Sequence, residues 1–243
     1  MSLLVVTGLS KRFGGLWAVK DLGFELAAGH ILGIIGPNGA GKTSLFNLLT
    51  GFLPADSGSV RLAGTELLGR RTHAIARLGL ARTFQLARPF AGLTVLESLL
   101  LPLGLPGRCT GATEQRGQAG VLLETLGLSH KADTPSEALN QGELRLLDIG
   151  RALACGPRLL LLDEPFSGLG MQAVARVAQC LRERREAGDT TLIIEHRLRE
   201  LMPLIDRALV LNFGARLAEG TPQAIAGNVQ VIEAYLGRRG VLA

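Results

Sequence analysis

Apolar residues along this chain fall in short runs. Leu3 to Thr7, Ile31 to Ile35, Leu159 to Asp163, Thr191 to Ile194 and Ala208 to Leu211 are rich in Val, Ile and Leu, with turn signals and helical patterns between them. Runs of this length predict strands of a parallel sheet covered on both faces, because neither face then has to alternate with polar residues. The texture changes between Arg88 and Ala154. Helical spacing appears over Thr94 to Leu101, Gly120 to Leu126 and Gly142 to Ala154, with a Gly/Pro-rich break around Pro102 to Gly120. The chain reads as an α/β core, residues 1–87 and 157–243, into which a helical subdomain, residues 88–156, is inserted. The longest apolar stretches, around Leu99 to Leu105 and Leu159 to Leu162, fall far short of the ~20 residues that span a bilayer, so no membrane crossing is expected. The opening MSLLVVTGLSKRF has no basic leader followed by an apolar run, and a cytoplasmic location is expected.

Composition narrows this picture only slightly. At 243 residues and 47% hydrophobic, the chain can bury a substantial core. The balance of 26 basic against 21 acidic residues is too even to separate nucleic acid, anionic lipid and phosphate ligands as partners. An aromatic content of 4% argues against a base-stacking platform, and no nucleic-acid partner is expected. Cys109, Cys155 and Cys180 are scattered, which predicts free thiols and no metal-binding cysteine pair. The lysines are only Lys11, Lys20, Lys42 and Lys131, so a lysine inside a phosphate motif carries weight.

Lys42 is such a lysine. Gly36-Pro37-Asn38-Gly39-Ala40-Gly41-Lys42-Thr43 fits G-x-x-x-x-G-K-[ST] in full, after the run Ile31 to Ile35 and before the helical pattern Ser44 to Leu49. Glycines let backbone N–H groups turn toward phosphate oxygens, and the following helix adds a partial positive charge. The nucleotide-binding set is therefore Gly36 through Ser44, with Lys42 for the β and γ phosphates of ATP and Thr43 for Mg²⁺. The second element is Leu159 to Leu162 followed by Asp163 and Glu164. Carboxylates ending a central parallel strand emerge where ligands sit, Asp163 to hold Mg²⁺ through water and Glu164 to polarise an attacking water.

With these motifs in this order, the chain resembles the ATP-binding subunit of an ABC transporter over nearly its whole length. The fold this implies is a P-loop NTPase core with an inserted helical subdomain and an N-terminal β-rich part. The resemblance implies that Gln85, in Arg82-Thr83-Phe84-Gln85, is the Q-loop residue that reaches Mg²⁺ and senses membrane subunits. It implies that His196 is the switch histidine on the γ-phosphate, catalytic together with Glu164, and that Phe13 stacks on adenine. The segment matching the family's L-S-G-G-Q is Leu139-Asn140-Gln141-Gly142-Glu143. Asn140 and Gly142 would face ATP held by a second copy; Gln141 adds bulk and Glu143 negative charge, so weakened affinity or turnover is expected there. Ser167-Gly168-Leu169-Gly170 stands where the family has S-A-L-D.

Two segments resemble the branched-chain amino-acid importer subunits: Arg82 to Glu97, and the tail from Leu217 to Gly237. The segment between Thr94 and the signature is shortened relative to that type. The resemblance implies partners: a second ATP-binding subunit, either self or paralogue, permease subunits docked near Gln85 to Phe90, and an exported substrate-binding protein. It places the chain at the cytoplasmic face of the inner membrane. The alternatives are an ATPase of a lipid or lipopolysaccharide exporter, or a low-turnover nucleotide-binding regulatory subunit.

Overall fold

A computed structural model describes residues 2–109 and 111–236; Gly237, the last residue of the tail segment above, lies outside them. The chain runs β1 (Ser2–Phe13), β2 (Leu16–Ala27), β3 (Ile31–Ile35), α1 (Lys42–Leu49), β4 (Ser57–Leu62), β5 (Thr65–Glu66), α2 (Thr72–Arg77) and β6 (Leu80–Arg82). Three helices follow, α3 (Val95–Leu103), α4 (Ala112–Leu126) and α5 (Gln141–Ala154). The chain then returns through β7 (Leu159–Asp163), α6 (Met171–Glu186), β8 (Thr190–Ile194), α7 (Leu198–Leu201), β9 (Arg207–Asn212), β10 (Ala215–Gly220), α8 (Pro222–Ala226) and α9 (Val229–Leu236).

The central sheet has the order β10-β9-β3-β8-β7-β6 and is parallel except for the β9–β10 hairpin. Its three middle strands β3, β7 and β8 are buried at every position, as their unbroken apolar runs require. Alternate residues serve two separate cores. Ile31, Ile35, Leu160, Leu162, Ile193 and Val210 pack with α3 to α6. Leu32, Ile34, Leu161, Ile194 and Leu211 pack with α1 and the second sheet. Among the described residues no helix is long and apolar enough to cross a membrane.

Two expectations change. Leu3 to Thr7 does not join the parallel sheet; β1 pairs antiparallel with β2 and β4 in a separate sheet of order β2-β1-β4-β5. The reason lies in burial: β1 is buried at Leu4 and Val6 while its other face is only half covered, so it meets one core and not two. The break expected from Pro102 to Gly120 is also shorter, since Pro102 sits in the last turn of α3 and α4 already begins at Ala112. Gly117 and Gly120 cost the helix about 1 kcal/mol each. Both face open space, and Ala119, Leu123 and Leu126 on the opposite stripe are buried against the same core as α3 and α5.

β6 and β7 are neighbours in the sheet, yet the whole segment carrying α3, α4 and α5 lies between them in sequence. Thr94 starts α3 with a reciprocal cap, its hydroxyl accepting from the Glu97 N–H while Glu97 accepts from the Thr94 N–H. Leu147 of α5 is fully buried in the shared core. Leu147→Ala is expected to lower stability by about 2–5 kcal/mol, measured by urea unfolding, because it removes apolar burial and leaves a cavity.

Candidate functional site

Strand register assembles the site. Ile34 of β3 and Asp163 of β7 both lie opposite Ile194 of β8. The chain therefore leaves three adjacent strands along one edge, and Gly36, Glu164 and Glu195 follow directly. β6 adds a fourth exit: the Thr83 N–H donates to the Leu161 carbonyl at 2.9 Å, and its hydroxyl accepts from the Asp163 N–H at 3.0 Å. These are the carboxyl ends of the parallel strands, the crevice in which open α/β sheets bind ligands.

The loop after β3 is shaped by glycine. Gly36, Gly39 and Gly41 have φ of 150°, 79° and 101°. A Cβ on Gly36 would lie 2.2 Å from the Leu211 carbonyl oxygen and one on Gly41 would lie 2.1 Å from that of Ala18, so the loop rests on the backbones of β9 and β2. Pro37 accepts from the Ala40 N–H at 3.2 Å, while Asn38 and Gly39 are exposed. Lys42 donates from Nζ to the Gly36 and Pro37 carbonyls at 2.7 and 2.9 Å. Burial pushes its ammonium below the usual lysine range, and the charges of Glu164 and Asp163 oppose that shift. Thr43 is exposed and Ser44 half-buried in the first turn of α1, which starts at Gly41 with no side-chain cap.

Asp163 is buried, and its Oδ2 accepts from Arg82 Nη2 at 2.9 Å. Burial raises its carboxyl above the usual range, and the bond to Arg82 and the Arg82 charge pull the other way. Glu164 has φ 50°, a left-handed turn that swings the chain out of β7, and its N–H donates to the Ile194 carbonyl at 2.9 Å. Its Oε1 lies 3.1 Å from Nε2 of the exposed His196, so those two side chains are already paired. Glu195 beside them is buried and accepts the N–H groups of Phe166, His196 and Arg197 at 3.1–3.2 Å. Desolvation raises its carboxyl in spite of those three bonds.

The remaining expected residues sit farther along the surface. Gln85 is exposed beyond β6, joined to Thr43 or Asp163 by no hydrogen bond among the described residues, and its carbonyl accepts from Arg145 Nη2. Phe13 is 53% exposed at the end of β1, with Lys11 Nζ 5.6 Å from its ring centre. Asn140 caps α5: its Oδ1 accepts from the Glu143 N–H and Glu143 accepts from the Asn140 N–H, both at 2.9 Å. Glu143 is also paired with Lys131 at 3.2 Å. Its negative charge is thus held within the helix start and partly neutralised. Gly142 has Asn140 and the Gly168 carbonyl as close neighbours. Gly170 is the N-cap of α6 and offers no side-chain bond there.

Comparison with known proteins settles the lineage. Residues 19–167 match the ABC transporter family. Over 97% of its length the chain is 41% identical to a protein of Escherichia coli (strain K12) named high-affinity branched-chain amino acid transport ATP-binding protein LivG, covering 98% of that protein. The chain belongs to the ABC transporter family. The cassette is also 39% identical to the BraF protein of the same description in Pseudomonas aeruginosa, again over 97% of this chain. Its residues 215–241 match the family described as branched-chain amino acid ATP-binding cassette transporter. A nucleotide-free ATP-binding cassette from an ABC transporter superposes with a TM-score of 0.85 at 31% identity, covering 98% of this chain and all of that one. The ADP conformation of MJ1267, an ATP-binding cassette of an ABC transporter, gives 0.83, also at 31% identity, covering 98% of this chain and 99% of that one. The fold class is therefore that of the ABC ATPases.

Several residues that organise the cassette's edge escaped sequence reasoning. Arg145 of α5 donates to the Phe84 and Gln85 carbonyls, Asp148 accepts from the Phe84 N–H at 3.1 Å, and Arg151 donates to the Arg88 carbonyl at 2.8 Å. Their signal was present: Arg145, Asp148 and Arg151 are the three charged residues of the stretch from Leu144 to Ala154, whose other residues are apolar or glycine and buried. Arg82 and Thr83 were visible only as company for Gln85. A direct consequence concerns Gly36. Gly36→Ala is expected to displace the loop from β9 and weaken ATP binding by more than about tenfold at little cost to helix content, read by equilibrium nucleotide titration and circular dichroism.

Proposed function

We propose that this cassette is the ATP-binding and ATP-hydrolysing subunit of an importer of branched-chain or related amino acids. The observation that carries the reading is the single row formed by the Lys42 loop, Asp163 and the Glu164–His196 pair at the carboxyl edge of the sheet. The names of the relatives and the match of the tail, residues 215–241, support the substrate class.

The residues present fit Mg²⁺ and ATP. A helix start with no side-chain cap, reached through glycines of positive φ, leaves first-turn N–H groups for phosphate oxygens. Mg²⁺ takes few protein ligands and completes its shell with phosphate and water, which suits the Thr43 hydroxyl, Asp163 and Gln85. When bound, it neutralises charge on the β and γ phosphates. Lys42 supplies a second, fixed cation, already desolvated on one side. Glu164 orients the attacking water and accepts its proton, and His196 holds the Glu164 carboxylate in place. Catalysis is positioning and charge stabilisation, with no covalent intermediate.

In this reading Phe13 stacks on adenine. Pro37, Asn38, Gly39, Ala40, Gly41 and Ser44 complete the phosphate cradle, and Asn140 and Gly142 face the nucleotide of a second ATP-binding subunit. Residues 88–156 form the subdomain that faces the permeases, which dock near the segment from Gln85 to Phe90 where the core passes into it. The chain then works at the cytoplasmic membrane face, with an exported binding protein delivering cargo. Glu164→Gln is expected to lower ATP hydrolysis by about 100-fold or more while ATP binding is retained. Equal near-zero rates for both proteins, with cognate permeases present, would instead mean a nucleotide-binding subunit without turnover. Stimulation of reconstituted transport by leucine, isoleucine or valine tests the substrate class.

A further inference from the structure

Arg82 is a cation whose side chain is enclosed at the site. Its side chain is 6% exposed and that of its partner Asp163 is 2% exposed. Nη2 donates to Asp163 Oδ2 at 2.9 Å, and Nη1 donates to Asn47 Oδ1 of α1 at 2.7 Å and to the hydroxyl of Thr50, the C-cap of that helix, at 3.3 Å. Its guanidinium carbon lies 5.4 Å from the centre of the Phe46 ring and 5.2 Å from that of Phe84. Nε is buried with no hydrogen-bond partner among the described residues. An arginine desolvated to this degree is expensive unless a charge compensates it, and an apolar residue would fill the same space at lower cost. The compensating charge is Asp163. Because only Oδ2 is engaged, Oδ1 keeps no protein partner among the described residues.

We infer that Arg82 is a positioning residue for Mg²⁺ binding: it fixes Asp163 by one oxygen, leaves the other for the metal shell, and ties that carboxylate to Phe84 beside Gln85. One guanidinium thus joins three segments of the site. Asn47 lies on α1 and Thr50 caps its C-terminal end, Asp163 ends β7, and Phe84 leads into Gln85. Phe84 is in turn held to α5 by Asp148 and Arg145 through its backbone.

This rests on the assignment of Asp163 to the Mg²⁺ side, and the test keeps the two apart. ADP affinity of the whole protein is measured by calorimetry with Mg²⁺ and with EDTA, and the ratio of the two dissociation constants is the readout. Asp163→Asn is expected to abolish the benefit of Mg²⁺. Arg82→Met is expected to reduce it at least about fivefold while leaving affinity in EDTA within about twofold, and the double variant should lose no more than Asp163→Asn alone. If Arg82→Met does not fold, Arg82→Lys, which keeps the charge but not the fork, is read in the same way. An unchanged ratio in the folded Arg82 variant, or losses that add in the double variant, overturns the role of Arg82. An unchanged ratio in Asp163→Asn overturns the Mg²⁺ assignment itself.

Discussion

A parallel sheet buried on both faces has no room for charge except at the ends of its strands. That constraint organises this cassette. The inner strands carry apolar side chains to two separate cores, so every ionisable group that works near the sheet is displaced to one edge, where β3, β6, β7 and β8 release the chain. Strand register does the aligning: once Ile34, Ile194 and Asp163 share a row, the glycine loop, the Glu164–His196 pair and Thr83 are neighbours without further instruction. Loops can then supply chemistry while the rigid scaffold supplies position.

The same burial makes that edge electrostatically tense. Lys42 is pushed toward neutrality by desolvation, and Asp163 and Glu195 are pushed the same way from the acidic side. Each is held by a different device. Lys42 leans on two loop carbonyls, Glu195 on three backbone N–H groups, and Asp163 on a full cation. Breaking any one of these would leave a charge buried without compensation, which costs more than the pairing contributes. The edge is therefore stiff before any ligand arrives, the preorganisation that phosphoryl chemistry requires.

The parts legible in the sequence were those where chemistry or periodicity is local. Gly36 to Thr43 announces its loop because the glycines, lysine and threonine are contiguous, and the runs ending at Ile35, Asp163 and Ile194 announce buried strands by length. What stayed hidden depends on partners distant in sequence. Leu3 to Thr7 is apolar whichever way its neighbours run, so its antiparallel sheet could not be read. Gly117 and Gly120 suggested a break because local cost is visible in a sequence and tertiary packing of Ala119 and Leu123 is not. Arg82, Arg145 and Asp148 grip main-chain atoms or a carboxylate 60 or more residues away, and such contacts leave no short motif.

Two of the departures from the family pattern, the altered signature and Gly170, fall at helix starts, and helix starts are where anions are recognised. α1 opens with no side-chain cap, so its first N–H groups are available to phosphate. α5 differs in kind. Asn140 and Glu143 already satisfy each other's N–H groups, and the Glu143 carboxylate sits in the first turn, where it uses up the positive end of the helix dipole. Lys131 returns some positive charge to that turn. α6, starting at Gly170, has neither a cap nor an acidic residue in its first turn. Within the proposed reading, the nucleotide held by this chain's own loop meets an open helix, whereas a nucleotide presented by the partner subunit meets one that is largely self-satisfied. What α5 still offers is the amide NH₂ of Asn140 and close backbone approach at Gly142. Neither brings a positive charge of its own, whereas α1 opens on Lys42. Within that same reading of a pair of cassettes, the loop of this chain, with its open helix start and its lysine, is the stronger anion site and the signature the weaker.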